Sequence, residues 1–327
     1  MKECMETGKP QISILMAVYE PRMDWLREQL LSLNAQTYPN LKLHVRDDCS
    51  PTVSYDAIQS CVKDCIRAFP YEIKRNEKNL GSNGTFELLT QEADGDYFAY
   101  CDQDDVWLPE KLVVLQKRME ESSSELVCSD MYIIDGEGKQ VADSITKVRR
   151  HHVFHSGTDL APELLVSNFV TGCTMLVRAG CAKEAVPFCP YMVHDHYLAL
   201  WCAQHGRIHS VGESLIRYRV HQTNQTGLMT GVTSRETYYI LRIRSMLKRF
   251  RWLQMHFPCD EVTQKKVNEG LCWLTAREKN WKKHRGARII WRYRHFSITQ
   301  SLFELVVGWM PESFFRVAIT AIKKNWV

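Results

Sequence analysis

At 327 residues, with 45% hydrophobic and 24% charged residues, the chain has an ordinary globular composition, with room for one large domain or a domain plus an appendage. Its net charge of +4 hides a division: residues 235–327 hold 19 Lys and Arg against 7 Asp and Glu, leaving 23 basic and 31 acidic residues before them. A mildly acidic body with a basic end predicts two jobs.

The first apolar run, "ISILMAVY" (12–19), ends at "EPR" and reads as a buried strand. "MDWLREQLLSLNAQTY" follows with near-helical spacing, and "LKLHVRDD" (41–48) is the next strand. "SPTVSYDAIQSCVKDCIRAF" predicts a second amphipathic helix. "YEIKRNEKNLGSNGTFELLTQEA" predicts a short strand, an Asn/Gly loop and a third helix, and "YFAYCDQDD" is a further strand. Strands alternating with helices predict an α/β domain whose ligands sit beyond the carboxyl ends of the strands. That places Ala17, Tyr19, Asp47, Asp48, Asp102 and Asp104 on one rim. Later, "ELVCSDMYIIDGEGK" reads as strand and turn, "VTGCTMLVRAG" as a strand, "HDHYLALWCAQHG" as a helix and "IHSVGESLIRYRVH" as extended. From about residue 235 the pattern is helical, basic and rich in tryptophan.

The 12 cysteines are scattered, several inside apolar runs (Cys101, Cys128, Cys202), with no CxxC pair, so neither a disulfide framework nor a zinc site is expected. Cys61 and Cys65 form a lone CxxxC, which reads as two small buried residues. The apolar stretch near the start is too short for a signal core, so a reducing cytoplasm is expected. "SLFELVVGWMPESFFRVAITAI" is broken by Glu304, Pro311, Glu312 and Arg316, short of the roughly 18 apolar residues a membrane span needs.

The chemistry concentrates in "YFAYCDQDDVWLPEKL" (97–112), where Asp102, Asp104 and Asp105 fall within four positions behind an apolar run. One such aspartate can cap a helix. Three exceed that need, and an oxygen-rich cluster suits a hard divalent cation that also binds phosphates. These segments together, "ISILMAVYEPRMDWLREQLLSLNAQTYPNLKLHVRDDCSPT", "KNLGSNGTFELL" and "YFAYCDQDDVWLPEKL", resemble the family 2 inverting glycosyltransferases, most nearly rhamnosyltransferase-like members of bacterial polysaccharide assembly. The resemblance covers roughly residues 10–225.

That resemblance implies a GT-A fold, a Rossmann-like nucleotide-sugar-binding domain with a mixed sheet over residues 10–230, followed by a helical region over 235–327. It implies that Asp47 and Asp48 hold the base and ribose of the nucleotide and that Asn79 and Gly81 line the loop beside it. Asp104 becomes a ligand of Mn²⁺ or Mg²⁺, with Asp102 on the ribose or the metal's water shell, and Asp105 a supporting or capping residue. Asp195, in "MVHDHYLALWCAQHG", takes the position of the base that deprotonates the acceptor hydroxyl. The family often has Glu-Asp where this chain has His194-Asp195, which leaves the roles of His194 and His196 open. In "YRVHQTNQTG" (218–227), His221 is expected on the metal or a phosphate, with Arg217 or Arg219 on a phosphate, and Thr171 and Gly172 are expected to border the sugar pocket.

The implied activity is transfer of a sugar, rhamnose from a dTDP donor by resemblance, to a growing glycan or lipid-linked acceptor. A non-catalytic sugar-binding relative and a sugar nucleotidyltransferase are the rival readings. The latter lacks support in "AVYEPRMD", which has no glycine after the first strand. For the basic end, a nucleic-acid surface lacks a recognisable motif. A homo-oligomer contact or solvated bundle with tryptophans in its core remains open. The expectation adopted is contact with an anionic surface on the inner face of the cell membrane.

Overall fold

The computed structural model describes residues 8–149, 152–221 and 231–324. It divides into two compact units: Met1–Leu160, Asn168–Phe188 and Val193–His221 form the first, and Ala161–Ser167, Cys189–Met192 and Gln222–Val327 the second.

In the first unit the chain runs β1 (Ile12–Val18), α1 (Met23–Asn34), β2 (Leu41–Asp47), α2 (Tyr55–Cys65), β3 (Tyr71–Arg75), α3 (Gly81–Glu92), β4 (Tyr97–Cys101), β5 (Val106–Trp107), α4 (Lys111–Ser122), β6 (Leu126–Ile134), β7 (Gln140–Ala142) and α5 (Ile145–Val148). After a short helix α6 (Ala161–Leu164) in the second unit come a 3₁₀ turn (Gly172–Thr174), β8 (Met175–Arg178), α7 (Ala179–Glu184), α8 (His194–His205) and β9 (Ile208–Arg219). Among the described residues the strands make one sheet in the order β3-β2-β1-β4-β8-β6-β9-β5, with β7 also on β6. The sheet is mixed: β1–β2, β1–β4, β2–β3 and β6–β9 are parallel, while β8 is antiparallel to both β4 and β6. Val18 pairs with Asp47 and Met16 with Cys101, so three parallel strands end along one edge. This is the rim the alternating pattern predicts.

The apolar runs become strands because both faces are covered. Ile12, Ile14, Met16, Leu43 and Val45 share one core with Leu26, Leu30 and Leu33 of α1 and Ile58 and Val62 of α2. Helix α2 is shorter than the predicted span because Ser54 caps it, its side chain accepting from the Ala57 N–H. Cys61 and Cys65 are buried on that helix, as small apolar residues would be. "VTGC" is a turn leading into β8 rather than part of the strand.

In the second unit, α9 (Arg235–Tyr238) runs through a π-helical stretch (Tyr239–Arg244) into α10 (Ser245–His256), followed by α11 (Glu261–Lys283), α12 (Ala287–Arg292), α13 (Ile298–Val307) and α14 (Glu312–Lys324). Val232, Tyr238, Ile243, Trp281, Val307, Phe315 and Ile319 form a core of their own. Glu304, which breaks the longest apolar stretch of the sequence, is buried in an ion pair: Arg277 donates to its Oε2 from Nε at 2.8 Å and to its Oε1 from Nη2 at 2.5 Å. The Tyr238 hydroxyl donates to the same Oε1 at 2.8 Å. No helix among the described residues is long and apolar enough to cross a membrane.

Candidate active site

The rim at the ends of β1 and β2 is cross-braced. Asp47, fully buried, accepts from the Ser50 hydroxyl at 2.6 Å, and its Oδ2 lies 3.1 Å from Arg75 Nε. Asp48 accepts from the Leu80 N–H at 2.7 Å and from Asn76 Nδ2 at 2.8 Å. The Asn/Gly loop is therefore tied to the acidic pair rather than independent of it. Asn79 Oδ1 accepts from the Gly81 N–H at 3.0 Å, and Gly81 takes φ +72°, a conformation glycine adopts without strain. The loop's glycines lie in the first turn of α3, where N–H groups lack helical partners and the Gly81 N–H is taken up by Asn79. Ala17 is half-buried in β1 beside the exposed Tyr19, whose backbone exchanges two hydrogen bonds with the Gln103 amide.

Gln103 lies inside the aspartate turn, where the three carboxyls separate by environment. Asp104 is at the open edge and meets His221, with Nε2 to Oδ2 at 2.6 Å, while the His221 ring lies 5.0 Å from the Trp25 ring. Asp105 is almost fully buried: its Oδ1 accepts from the Arg219 N–H at 2.9 Å and its Oδ2 has no hydrogen-bond partner. Burial first, then the charges of Asp104 and Asp102, hold the Asp105 carboxyl well above the usual range. Asp102 is pushed up to about 7 by lost solvation, then by Asp104, then by Asp195. The charge of the predicted base is thus among the causes that raise Asp102.

Two further residues belong to this site: Lys111, which the sequence did not single out, and Arg219, expected on a phosphate. Lys111 is fully buried, donates from Nζ to the Cys173 carbonyl at 2.5 Å and lies 3.0 Å from the Trp107 ring centroid. Lost solvation lowers its amine to about 7 against the opposing pull of Asp105 and Asp102. Arg219 is equally buried: Nε donates to the Asp104 carbonyl at 2.8 Å and Nη2 to Glu28 at 2.5 Å. Its guanidinium braces the turn, while Arg217, the other arginine expected on a phosphate, is exposed on β9. Residues 222–227 of that motif lie outside the described residues.

Among the described residues, the ligand atoms of Asp102, Asp105 and Cys173 lie within 4.8 Å of one another. Asp105 and Cys173 of that set are buried, Asp102 is partly exposed, and burial raises the soft Cys173 thiol well above its ordinary value. Asp104 and His221 are outside it, with 19% and 16% of their side chains exposed. The Asp104 carboxylate and the His221 imidazole, with the partly exposed Asp102 nearby in the same turn, fit a divalent cation such as Mn²⁺, which accepts both donor types.

Asp195, in the first turn of α8, is buried with three N–H groups on its carboxylate: Gly172 on Oδ2 at 3.0 Å, and His196 at 2.5 Å and Asn168 Nδ2 at 3.3 Å on Oδ1. Lost solvation nevertheless raises it to about 6. His194 is a core residue, stacked 4.1 Å from the Phe86 ring, its Nε2 without a hydrogen-bond partner and its pKa lowered to about 3 by burial. It stays neutral and packs. Gly172 is required by close approach: a Cβ there would lie 2.8 Å from His194 Nε2. Thr171 sits before that turn, and its carbonyl accepts from Thr174.

Fold and site together define a nucleotide-sugar-dependent glycosyltransferase of the GT-A kind. Residues 13–183, just over half of the chain, match the model of glycosyl transferase family 2, and the chain belongs to that family. A glycosyltransferase of Nostoc sp. (strain PCC 7120) is 25% identical over 234 residues, 69% of this chain and 70% of its own. The Bacillus subtilis protein named as a teichuronic acid biosynthesis glycosyltransferase, TuaG, is 24% identical over 56% of this chain and 68% of its own. A Rickettsia bellii glycosyltransferase is 30% identical over 79% of this chain, which spans only 36% of that relative. Among solved structures, S. aureus TarS 1-349 in complex with UDP-GlcNAc aligns with a TM-score of 0.59 at 14% identity, covering 96% of this chain and 92% of its own. The Pyrobaculum calidifontis mannosyltransferase PcManGT in complex with GDP-Man and Mn²⁺ aligns at 0.55 and 13% identity, covering 98% and 83%.

Proposed function

We propose that this chain transfers a sugar, with inversion and with the help of a divalent cation, from a nucleoside diphosphate donor to a hydroxyl of a growing bacterial surface glycan. Rhamnose from dTDP-rhamnose is the donor proposed. The observation that carries the reading is a division of labour among carboxylates: a partly exposed Asp104–His221 pair at the rim, and a separate buried Asp195 whose charge reaches Asp102.

Asp47, Asp48, Asn79 and Gly81 would hold the nucleoside, beside Ala17 and Tyr19. Asp104, Asp102 and His221 would hold the cation, which when bound supplies charge neutralisation for the departing diphosphate. Asp195 would take the acceptor proton. The Gly172 and His196 N–H groups fix its carboxylate, and a pKa near 6 leaves it ionised at neutral pH yet basic enough to accept. The presence of Mn²⁺ in the PcManGT complex and of nucleotide sugars in both neighbours supports this assignment of the rim.

The test is calorimetric titration of dTDP, UDP and GDP into the protein with Mn²⁺ and again with EDTA. One diphosphate is expected to bind only with metal, and Asp104→Ala to abolish that binding. Absence of binding by all three, with and without metal, would leave the sugar-binding relative as the better reading. Release of pyrophosphate from a nucleoside triphosphate would make the chain a nucleotidyltransferase.

A further inference from the structure

The basic, aromatic end of the sequence separates in three dimensions into an inside and an outside. Trp273, Trp281, Phe250 and Phe315 are buried, while Trp291 and Trp309 are 49% and 63% exposed. On α13, Ile298, Leu302 and Val306 recur every four residues and are all exposed, making one aliphatic stripe along the helix. The Trp309 ring beyond its end stacks 4.0 Å from His284, which brings that end beside the exposed Lys282, Lys283 and Arg285. The other end follows Arg292 and Arg294, both exposed, with Arg294 4.5 Å over the Trp291 ring. Cations therefore flank the stripe at both ends. Residues 279–303 contain seven Lys and Arg and no Asp or Glu. Glu304, the next acid, is buried against Arg277.

We propose that the α12–α13 face is a docking surface for an anionic lipid bilayer, with Ile298, Leu302, Val306 and Trp309 entering the headgroup boundary and the flanking arginines and lysines meeting lipid phosphates. The charge pattern selects this occupant. A second copy of the chain would bring one predominantly basic face against another, since of the flanking cations only Lys282 has a carboxylate partner among the described residues, Glu278. A nucleic acid would satisfy the arginines but leave the aliphatic stripe without a partner. A bilayer with acidic headgroups satisfies both, since apolar insertion and cationic attraction add at that interface. The inference does not rest on the catalytic assignment.

The experiment is flotation of the full chain with phosphatidylcholine vesicles and with vesicles that also contain phosphatidylglycerol. The chain is expected to float with the anionic vesicles only, and less as salt rises. Leu302→Glu with Val306→Glu, both at exposed positions, should reduce the bound fraction at least roughly tenfold, since burying two such side chains contributes more than that factor. Arg288→Glu with Arg292→Glu should reduce it on anionic vesicles by a similar factor. An unchanged melting temperature shows that the variants fold. Failure of the wild-type chain to bind anionic vesicles, or equal binding by the Leu302/Val306 variant, would overturn the proposal. So would a concentration-dependent dimer in light scattering that the variant abolishes.

Discussion

Asp195→Asn is expected to disable transfer while making the protein more stable at neutral pH. In the wild type the carboxyl is buried, and lost solvation raises it from 3.8 to about 6 despite the N–H groups around it. A carboxyl whose folded pKa exceeds its unfolded one contributes stability that is complete below the unfolded value and is lost as pH rises through the folded value. A rise of about two units corresponds to roughly 3 kcal/mol, withdrawn across the window from pH ~4 to above ~6. Asparagine has no such window. Like the protonated acid, it presents one full acceptor to the three N–H groups, so wild type and variant should match near pH ~4 and the variant should lead by roughly 2–3 kcal/mol above pH ~7. Transfer should fall by about two to four orders of magnitude, the usual contribution of a general base. The wild-type rate should rise with pH along a limb centred near 6 that the variant lacks. Thermal unfolding across this pH range and nucleoside diphosphate release in the presence of acceptor measure the two effects. Turnover within tenfold of wild type refutes the base assignment, and a variant less stable than wild type at neutral pH refutes the burial argument.

Two further outcomes follow from buried charges. Glu304→Gln removes the counter-ion of a buried Arg277 and should cost about 3–5 kcal/mol, read as a lower melting temperature; a loss under ~1 kcal/mol would mean the pair is hydrated in solution. Lys111→Met leaves the Cys173 carbonyl without its donor and Asp102 and Asp105 without a neighbouring cation. Burial lowers the wild-type amine from 10.5 to about 7, so its buried charge costs stability that is fully present below about 7 and is relieved as pH rises towards the unfolded value. The variant lacks that cost, so it should compare best with wild type in acid and lose ground as pH rises from ~7 to ~10; calorimetric melting at pH ~5 and ~9 checks this, and a pH-independent difference would assign Lys111 to packing alone.

The strands that set the rim were legible because both their faces are buried, which makes "ISILMAV" and "YFAYC" continuous apolar runs. β5, only two residues long, had no pattern to read. The aspartate turn was legible as charge density, but its internal ranking was not. Asp105 differs from Asp104 because Arg219, 114 residues away, supplies the amide that buries it. Lys111 was passed over because lysines are usually solvated, and its role depends on a carbonyl 62 residues distant. His194 stood open for the same reason: only the fold brings Phe86 against its ring. In the basic end, tryptophan content alone could not separate Trp273, which is inside, from Trp309, which is outside.

The bracing of the aspartate turn by Arg219 and His221 also sets an order of events during synthesis. A ribosome releases Asp102–Asp105 long before β9, and until that strand pairs with β6 and β5 the turn has neither the Arg219 amide on Asp105 nor the imidazole on Asp104. The parallel strands β1 to β4 can assemble first, since their contacts are nearer in sequence. Chains that end before β9 would therefore carry the aspartate turn without the contacts that brace it, so the geometry of the turn is completed only when the last strand of the sheet is in place.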